Sequence, residues 1–231
     1  MLANPIKELI VEKKFLNLFF FGILFLDALG TVFNESLNRQ ITILLPMPLI
    51  IIIFLVNAKK INILFLTSLV FQFLGIFYFN NIYTEYNSFG LIWHALAYII
   101  YFVIVFKNFN LINISLFLKF SVLTLLLVII PVIFYTKGIL KMDIFNETMI
   151  YVFAAVTFIV TAFLSFVNNK TKTNKLLLFS GIFLLLNSYC EANNLFMNYS
   201  SLLQFFSIIF FNLTQYFMCM YIIKKQKKEI I

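Results

Sequence analysis

The sequence predicts an all-α protein, a polytopic membrane bundle of about eight transmembrane helices with both termini cytoplasmic. Three observations predict it. Of the 231 residues, 63% are hydrophobic and 11% charged, with a mean hydropathy of +1.01. Soluble domains carry roughly 45–50% apolar and about 25% charged residues. This much apolar side chain cannot be hidden in one water-soluble core of this size, and a chain so lean in charge is neither disordered nor a coiled coil. Second, the apolar residues form continuous runs near the ~20 residues that a helix needs to cross ~30 Å of hydrocarbon. Outer-membrane strands would instead alternate within segments of ~10 residues. Third, the cations fall on one side of these runs.

The chain, 1–231, reads as a single transmembrane domain whose spans are separated by short Asn-, Lys- and Thr-rich stretches. Span one, Phe15–Phe33, begins after Lys13 and Lys14 and stops at Asn34. Span two, Ile41–Val56, is divided from span three, Asn62–Phe79, by Asn57–Ile61. Span four is Phe89–Phe106 and span five Leu111–Tyr135, with Lys107–Asn110 between them. Thr136–Glu147 leads into span six, Thr148–Val167, and Asn168–Lys175 into span seven, Leu176–Cys190. Glu191–Ser201 leads into span eight, Leu202–Ile223; spans two and seven are short. Connections this brief make sequential helices antiparallel neighbours.

Alternation then sorts the cations. Lys7, Lys13, Lys14, Lys59, Lys60, Lys107 and Lys119 share a side with Lys170, Lys172, Lys175 and the four lysines between Lys224 and Lys228. Only Arg39, Lys137 and Lys141 lie opposite. The positive-inside rule places the lysine side in the cytoplasm, which points to a multi-pass protein of a bacterial inner membrane. The net charge of +8 is therefore cytoplasmic-loop lysine and not a nucleic-acid signal; membrane lipids, and a possible membrane protein partner, are the expected company. A cleaved signal is the other reading of span one, because Ala28-Leu29-Gly30 resembles a peptidase site. It would leave seven spans in the same orientation.

The two cysteines are not expected to pair. Cys190 ends span seven outside and Cys219 nears the inner end of span eight, depths that differ by ~25–30 Å, whereas a disulfide needs Cα atoms within about 7 Å. No Cys/His spacing fits zinc, and neither a metal nor another cofactor is expected.

Ionisable groups inside a span are costly and are functional candidates by default. Asp27, His94 (the only histidine) and Glu191, placed as the cap of span seven, are the candidate catalytic residues. Gln72, Asn187, Asn212 and Gln215 are candidates for binding substrate, with Gln204 at the margin. Asp27, Gln72, His94 and Asn187 fall within ~6–12 Å of the outer surface at ~1.5 Å per residue, which predicts a polar cavity in the outer half. Each has a structural alternative. Asp27 could sit at headgroup level or pair with a neighbouring helix; His94 could join Trp93, Tyr98 and Tyr101 in an interfacial aromatic belt. The amides could serve as interhelical hydrogen bonds. There is no Gly-x-Ser-x-Gly elbow, no phosphate loop and no broken-helix pair of a transporter.

Several local patterns, in order from about Leu45 to Ile223, resemble the lysoplasmalogenase (YhhN) family of membrane proteins. Leu45-Pro46-Met47-Pro48-Leu49 is similar to its Lys-Pro-Leu element, and Leu69–Ile76 to a leucine-rich run ending in Gly-Asp. Phe89–Tyr98 looks like its Gly-x-x-Phe-x-x-x-His-x-x-Tyr, Phe179–Ser188 like Gly-x-x-x-Phe-x-x-Ser-Asp-Ser, and Phe210–Tyr216 like Tyr-Tyr-x-x-Gln. The chain departs at Met47, at Ile76 and Asn187, which replace the family aspartates, and at Tyr98, displaced by one; His94 and Gln215 match. The resemblance implies an eight-helix hydrolase acting on the vinyl ether of lysophospholipids, or a non-catalytic relative: a lipid-binding module or a small subunit of a larger complex. With both aspartates replaced, an active form must take its acid from His94, Asp27 or Glu191.

Overall fold

The computed structural model of the chain describes residues 5–33, 42–79, 87–107, 118–127 and 144–228, together with 115, 129 and 133. Among these residues the structure is all helical. In chain order the helices are α1 (Pro5–Gly30), α2 (Pro46–Asn57), α3 (Ile63–Phe79), α4 (Asn87–Phe106), α5 (Leu118–Leu127), α6 (Phe145–Asn168), α7 (Lys172–Phe196) and α8 (Ser201–Lys228). Of these, α4, α6, α7 and α8 are long and apolar enough to cross a membrane by length and composition.

Local chemistry sets several ends. Pro46 opens α2, where a missing N–H costs nothing because the first turn has no carbonyl to bond. The Asn62 side chain accepts from Phe65 N (3.1 Å) and starts α3. Thr171 caps α7 by accepting from Asn174 N (3.1 Å). The Asn174 amide then turns back to donate to Ser165 O (3.0 Å) and Asn169 O (2.8 Å), a second donor for carbonyls at the end of α6 that also accept backbone N–H groups.

One sequence expectation is corrected. Span seven is not short: α7 runs from Lys172 to Phe196, so Glu191 does not cap it but stands more than a turn inside it. After Cys190 the polar side chains are placed within the helix, Asn193 Nδ2 donating to Tyr189 O (2.8 Å) and Asn194 bonding Gln204 and Ser200 N. Helix α1 starts at Pro5, ahead of the span expected from Phe15, so the polar lead-in is also helical. The connection between spans one and two, expected at 34–40, most of that between spans three and four, expected at 80–88, most of span five, and Arg39, Lys137 and Lys141 lie outside the described residues.

The helices close a ring: α1 packs on α2, α2 on α3, α3 on α4, α4 on α6, α6 on α7, α7 on α8, and α8 back on α1 and α2. Helix α5 lies against α4 through Phe102 and Phe120, and against α6 through Leu123 and Leu127. Neighbours alternate in direction. Thr31, past the end of α1, bonds Ser201 O at the start of α8, while Tyr216 OH donates to Asn17 Oδ1 (3.0 Å) nearer the start of α1. At the far end Gln226 clasps the Lys60 backbone, donating to its carbonyl at 2.7 Å. That end carries Lys59, Lys60, Lys107, Lys170, Lys172, Lys224 and Lys225.

Beside an apolar core, large apolar side chains cover the outside and polar ones are buried within. Leu18 (71% exposed) and Phe153 (60%) face outward, while Ser68, Gln72, Ser180, Thr214 and Gln215 are fully buried. An apolar exterior with polar groups kept inside suits hydrocarbon, where polar groups have to be satisfied internally. On α6, Thr157, Thr161 and Ser165 return their hydroxyls to the carbonyl four residues back. Helices α6 and α7 approach closely at Gly181, where a Cβ would lie 3.1 Å from Ala162 Cβ. These features fit a helical membrane bundle.

Candidate functional site

A cavity of about 740 Å³ opens among α1, α3, α4, α6, α7 and α8, toward the end opposite the lysines. Its polar wall gathers residues from five helices. Asp27 (1% exposed), in the last turn of α1, accepts from Thr42 Oγ1 at 3.2 Å. His94 (7% exposed) comes from α4, Asn187 and Glu191 from α7, Ser207 and Asn212 from α8, and Tyr151 from α6. Asn187 and Glu191 are one turn apart and share a face of α7. The Ser207 hydroxyl reaches Asn187 Oδ1 (2.8 Å) and also the Glu191 carboxylate, one proton between two acceptors. Away from these groups the wall is apolar: Ile76, Phe79, Leu91, Leu127, and on α6 Val152, Ala155, Val156 and Ile159. Those four α6 residues follow i, i+3, i+4, i+7, one helical face.

His94 is held from four directions. Its Nδ1 stands 2.5 Å from Gln72 Oε1. Its ring stacks on Phe79 (centroids 5.6 Å, 19°) and meets Phe211 edge-on (5.3 Å, 72°). Underneath lies Gly75, where any Cβ would come within 2.5 Å of His94 Cε1. Gln72 and Gly75 are three residues apart on α3, so one helix face supplies both the hydrogen-bond partner and the empty space.

Behind the wall runs a second polar layer. Tyr101 OH donates to Gln215 Oε1, joining α4 to α8. Tyr98 is buried in the same layer, its ring edge-on to Tyr151 (centroids 5.9 Å) and its hydroxyl without a hydrogen-bond partner among the described residues. Tyr151 OH in turn lies 3.4 Å from Ser188 Oγ on the cavity wall. Ser180 Oγ donates to Thr214 O (2.8 Å), binding α7 to α8.

Of the sequence-derived candidates, the structure brings Asp27, His94, Asn187, Glu191, Asn212 and Gln204 to one cavity. Gln72 and Gln215 do not line it; both are buried in the layer behind, where they bond His94 and Tyr101. His94 is buried within the bundle, as are Tyr98 and Tyr101, and its neighbour Trp93 packs on Phe71. Sequence reasoning missed Ser207, Tyr151, Ser188 and the part played by Gly75. A signal existed for Ser207: Asn187 and Glu191 one turn apart ask for a facing hydroxyl or amide. Cys190 and Cys219 are free, buried thiols, and among the described residues no three of His, Cys, Asp or Glu gather as a metal site.

No protein-family model, curated protein or solved structure matches this chain.

Proposed function

We propose that this is a multi-pass protein of the bacterial inner membrane, with all eight helices crossing and both termini cytoplasmic, and that its outer-half cavity binds a single-chain amphiphile and hydrolyses it. The carrying observation is that two carboxylates, a histidine and an amide share one cavity with a long apolar wing. That combination suits a lipid with one chain along α6 and its polar part beside Asp27, His94, Asn187 and Glu191. The order of elements, which resembles the lysoplasmalogenase family, selects the vinyl ether of a lysophospholipid as substrate. Both positions where that family has aspartate, Ile76 and Asn187, line the same cavity.

The chemistry needs three tasks. A carboxyl group gives its proton to the enol-ether carbon, a negative group steadies the resulting oxocarbenium ion, and a base guides water onto it. The hemiacetal then collapses to an aldehyde and a glycerophospho-alcohol, so one water is consumed per substrate. Asp27 and Glu191 divide the first two tasks, since two carboxyls in unlike surroundings can hold different protonation states. His94 and Asn187 position the water.

The test is aldehyde release from a lysoplasmalogen by the detergent-purified protein, compared with His94→Ala and Asp27→Asn. Release that drops by about 10²-fold or more in both variants, with folding intact, supports the reading. Equal release in all three proteins, or none in the parent, refutes it. The neutral residues at Ile76 and Asn187 favour a second reading, a non-catalytic lipid-binding protein or small subunit of a membrane complex; co-purifying lipid without turnover is its signature.

A further inference from the structure

We propose that the cavity's polar wall is an array of hydrogen-bond acceptors, fixed by Gln72 and by the backbone of α8, and that it selects a ligand whose head donates protons, through hydroxyls or an ammonium. The inference deepens the amphiphile reading above and rests on it for the chain that fills the apolar wing.

The array follows from a count of protons. Gln72 presents Oε1 to His94 Nδ1 at 2.5 Å, so Nδ1 carries the imidazole proton and Nε2 keeps its lone pair. The Gln72 Nε2, that of Gln215 and the Tyr98 hydroxyl are all buried without a hydrogen-bond partner among the described residues. Gln72 is therefore a positioning residue: it touches no ligand but decides which face of the imidazole chemistry the cavity meets.

Asn212 is oriented independently. Its Nδ2 donates to Ile208 O at 2.9 Å, so its Oδ1 is the end left over. That oxygen is buried on the cavity wall and has no hydrogen-bond partner among the described residues. Among the described residues the wall holds no Lys or Arg. A buried acceptor without a donor is costly, so a ligand supplying donors gains where one supplying only phosphate oxygens loses.

Two measurements test this together. The protein has a single histidine, so nitrogen NMR of the resting protein carrying isotope-labelled histidine reads one tautomer without ambiguity. The expected spectrum has a protonated Nδ1 and a bare Nε2, and Gln72→Leu shifts it toward the Nε2-protonated form. A bare Nδ1 in the unaltered protein overturns the proposal, whether or not any variant folds. The second measurement titrates three amphiphiles of equal chain length: a monoalkyl glycerol, an alkylammonium and an alkyl phosphate. Binding of the glycerol or the ammonium at least about tenfold tighter than the phosphate supports the proposal, and which of the two binds tighter identifies the donor. Asn212→Leu should weaken the preferred ligand about tenfold, near the net worth of one hydrogen bond. A phosphate preference overturns the acceptor array alone, whereas no binding of any head overturns the amphiphile reading with it.

Discussion

At the scale of single residues, the site turns on what is missing beside His94. Gly75 leaves the space the imidazole occupies, and the ring is closed in by Phe79 and Phe211. Gly75→Ala places a methyl group on the ring and drives it from its seat. The expected loss is about 1–3 kcal/mol of stability, the usual penalty of overpacking, together with loss of aldehyde release. Gly22 is the control: it lies on the outer face of α1, and a methyl group there would meet nothing within 4 Å. Gly22→Ala should leave both properties unchanged. Thermal unfolding in detergent and the turnover assay check the pair; equal behaviour of the two alanines would contradict the seat. Residue-scale legibility was uneven for a physical reason. Asp27, His94 and Glu191 stood out because charge inside an apolar run is expensive. Gly75 and Ser207 carry no such cost, and their importance comes from neighbours on other helices; only the Asn187 and Glu191 spacing hinted at a partner for those two side chains.

Among elements, the pairing of α4 with α8 holds the layer behind the cavity. Tyr101 and Gln215 are both fully buried and bonded to each other, so removing either strands its partner. Tyr101→Phe and Gln215→Leu should each destabilise, and the double variant should cost less than their sum. The expected coupling is about 0.5–2 kcal/mol, the range for hydrogen bonds between membrane helices. A double-mutant cycle on thermal or denaturant unfolding measures it, and strict additivity would mean the two side chains do not act as a pair. Apolar runs flagged where the helices lie, since hydropathy reports the part facing lipid. It misjudged where α7 stops. Helix α7 continues through Glu191-Ala192-Asn193-Asn194 because its polar face there meets the cavity and α8, Asn194 bonding Gln204 (3.1 Å) and Ser200 N (2.9 Å). A helix that is polar toward its partners looks like a loop to a hydropathy count.

On the scale of the whole molecule, outward apolar side chains and an inward polar layer are one design, legible in advance as composition but not as geometry. The sequence indicated a polar zone near one end; that it encloses a cavity with an apolar wing along α6 depends on how seven helices close into a ring. The central claim is that a lipid chain occupies this wing with its head at His94. A single-chain ether lipid with a glycerol head and a photoreactive diazirine at its chain end tests it most directly, with the labelled residues mapped by mass spectrometry. The account predicts labels on the inward face of α6, at Val152, Val156 or Ile159, or on Leu127, and their loss when Ala155→Phe fills the wing. Labels confined to the outward residues Ile150, Phe153 and Phe163, unaffected by Ala155→Phe, would place the lipid around the protein and not within it.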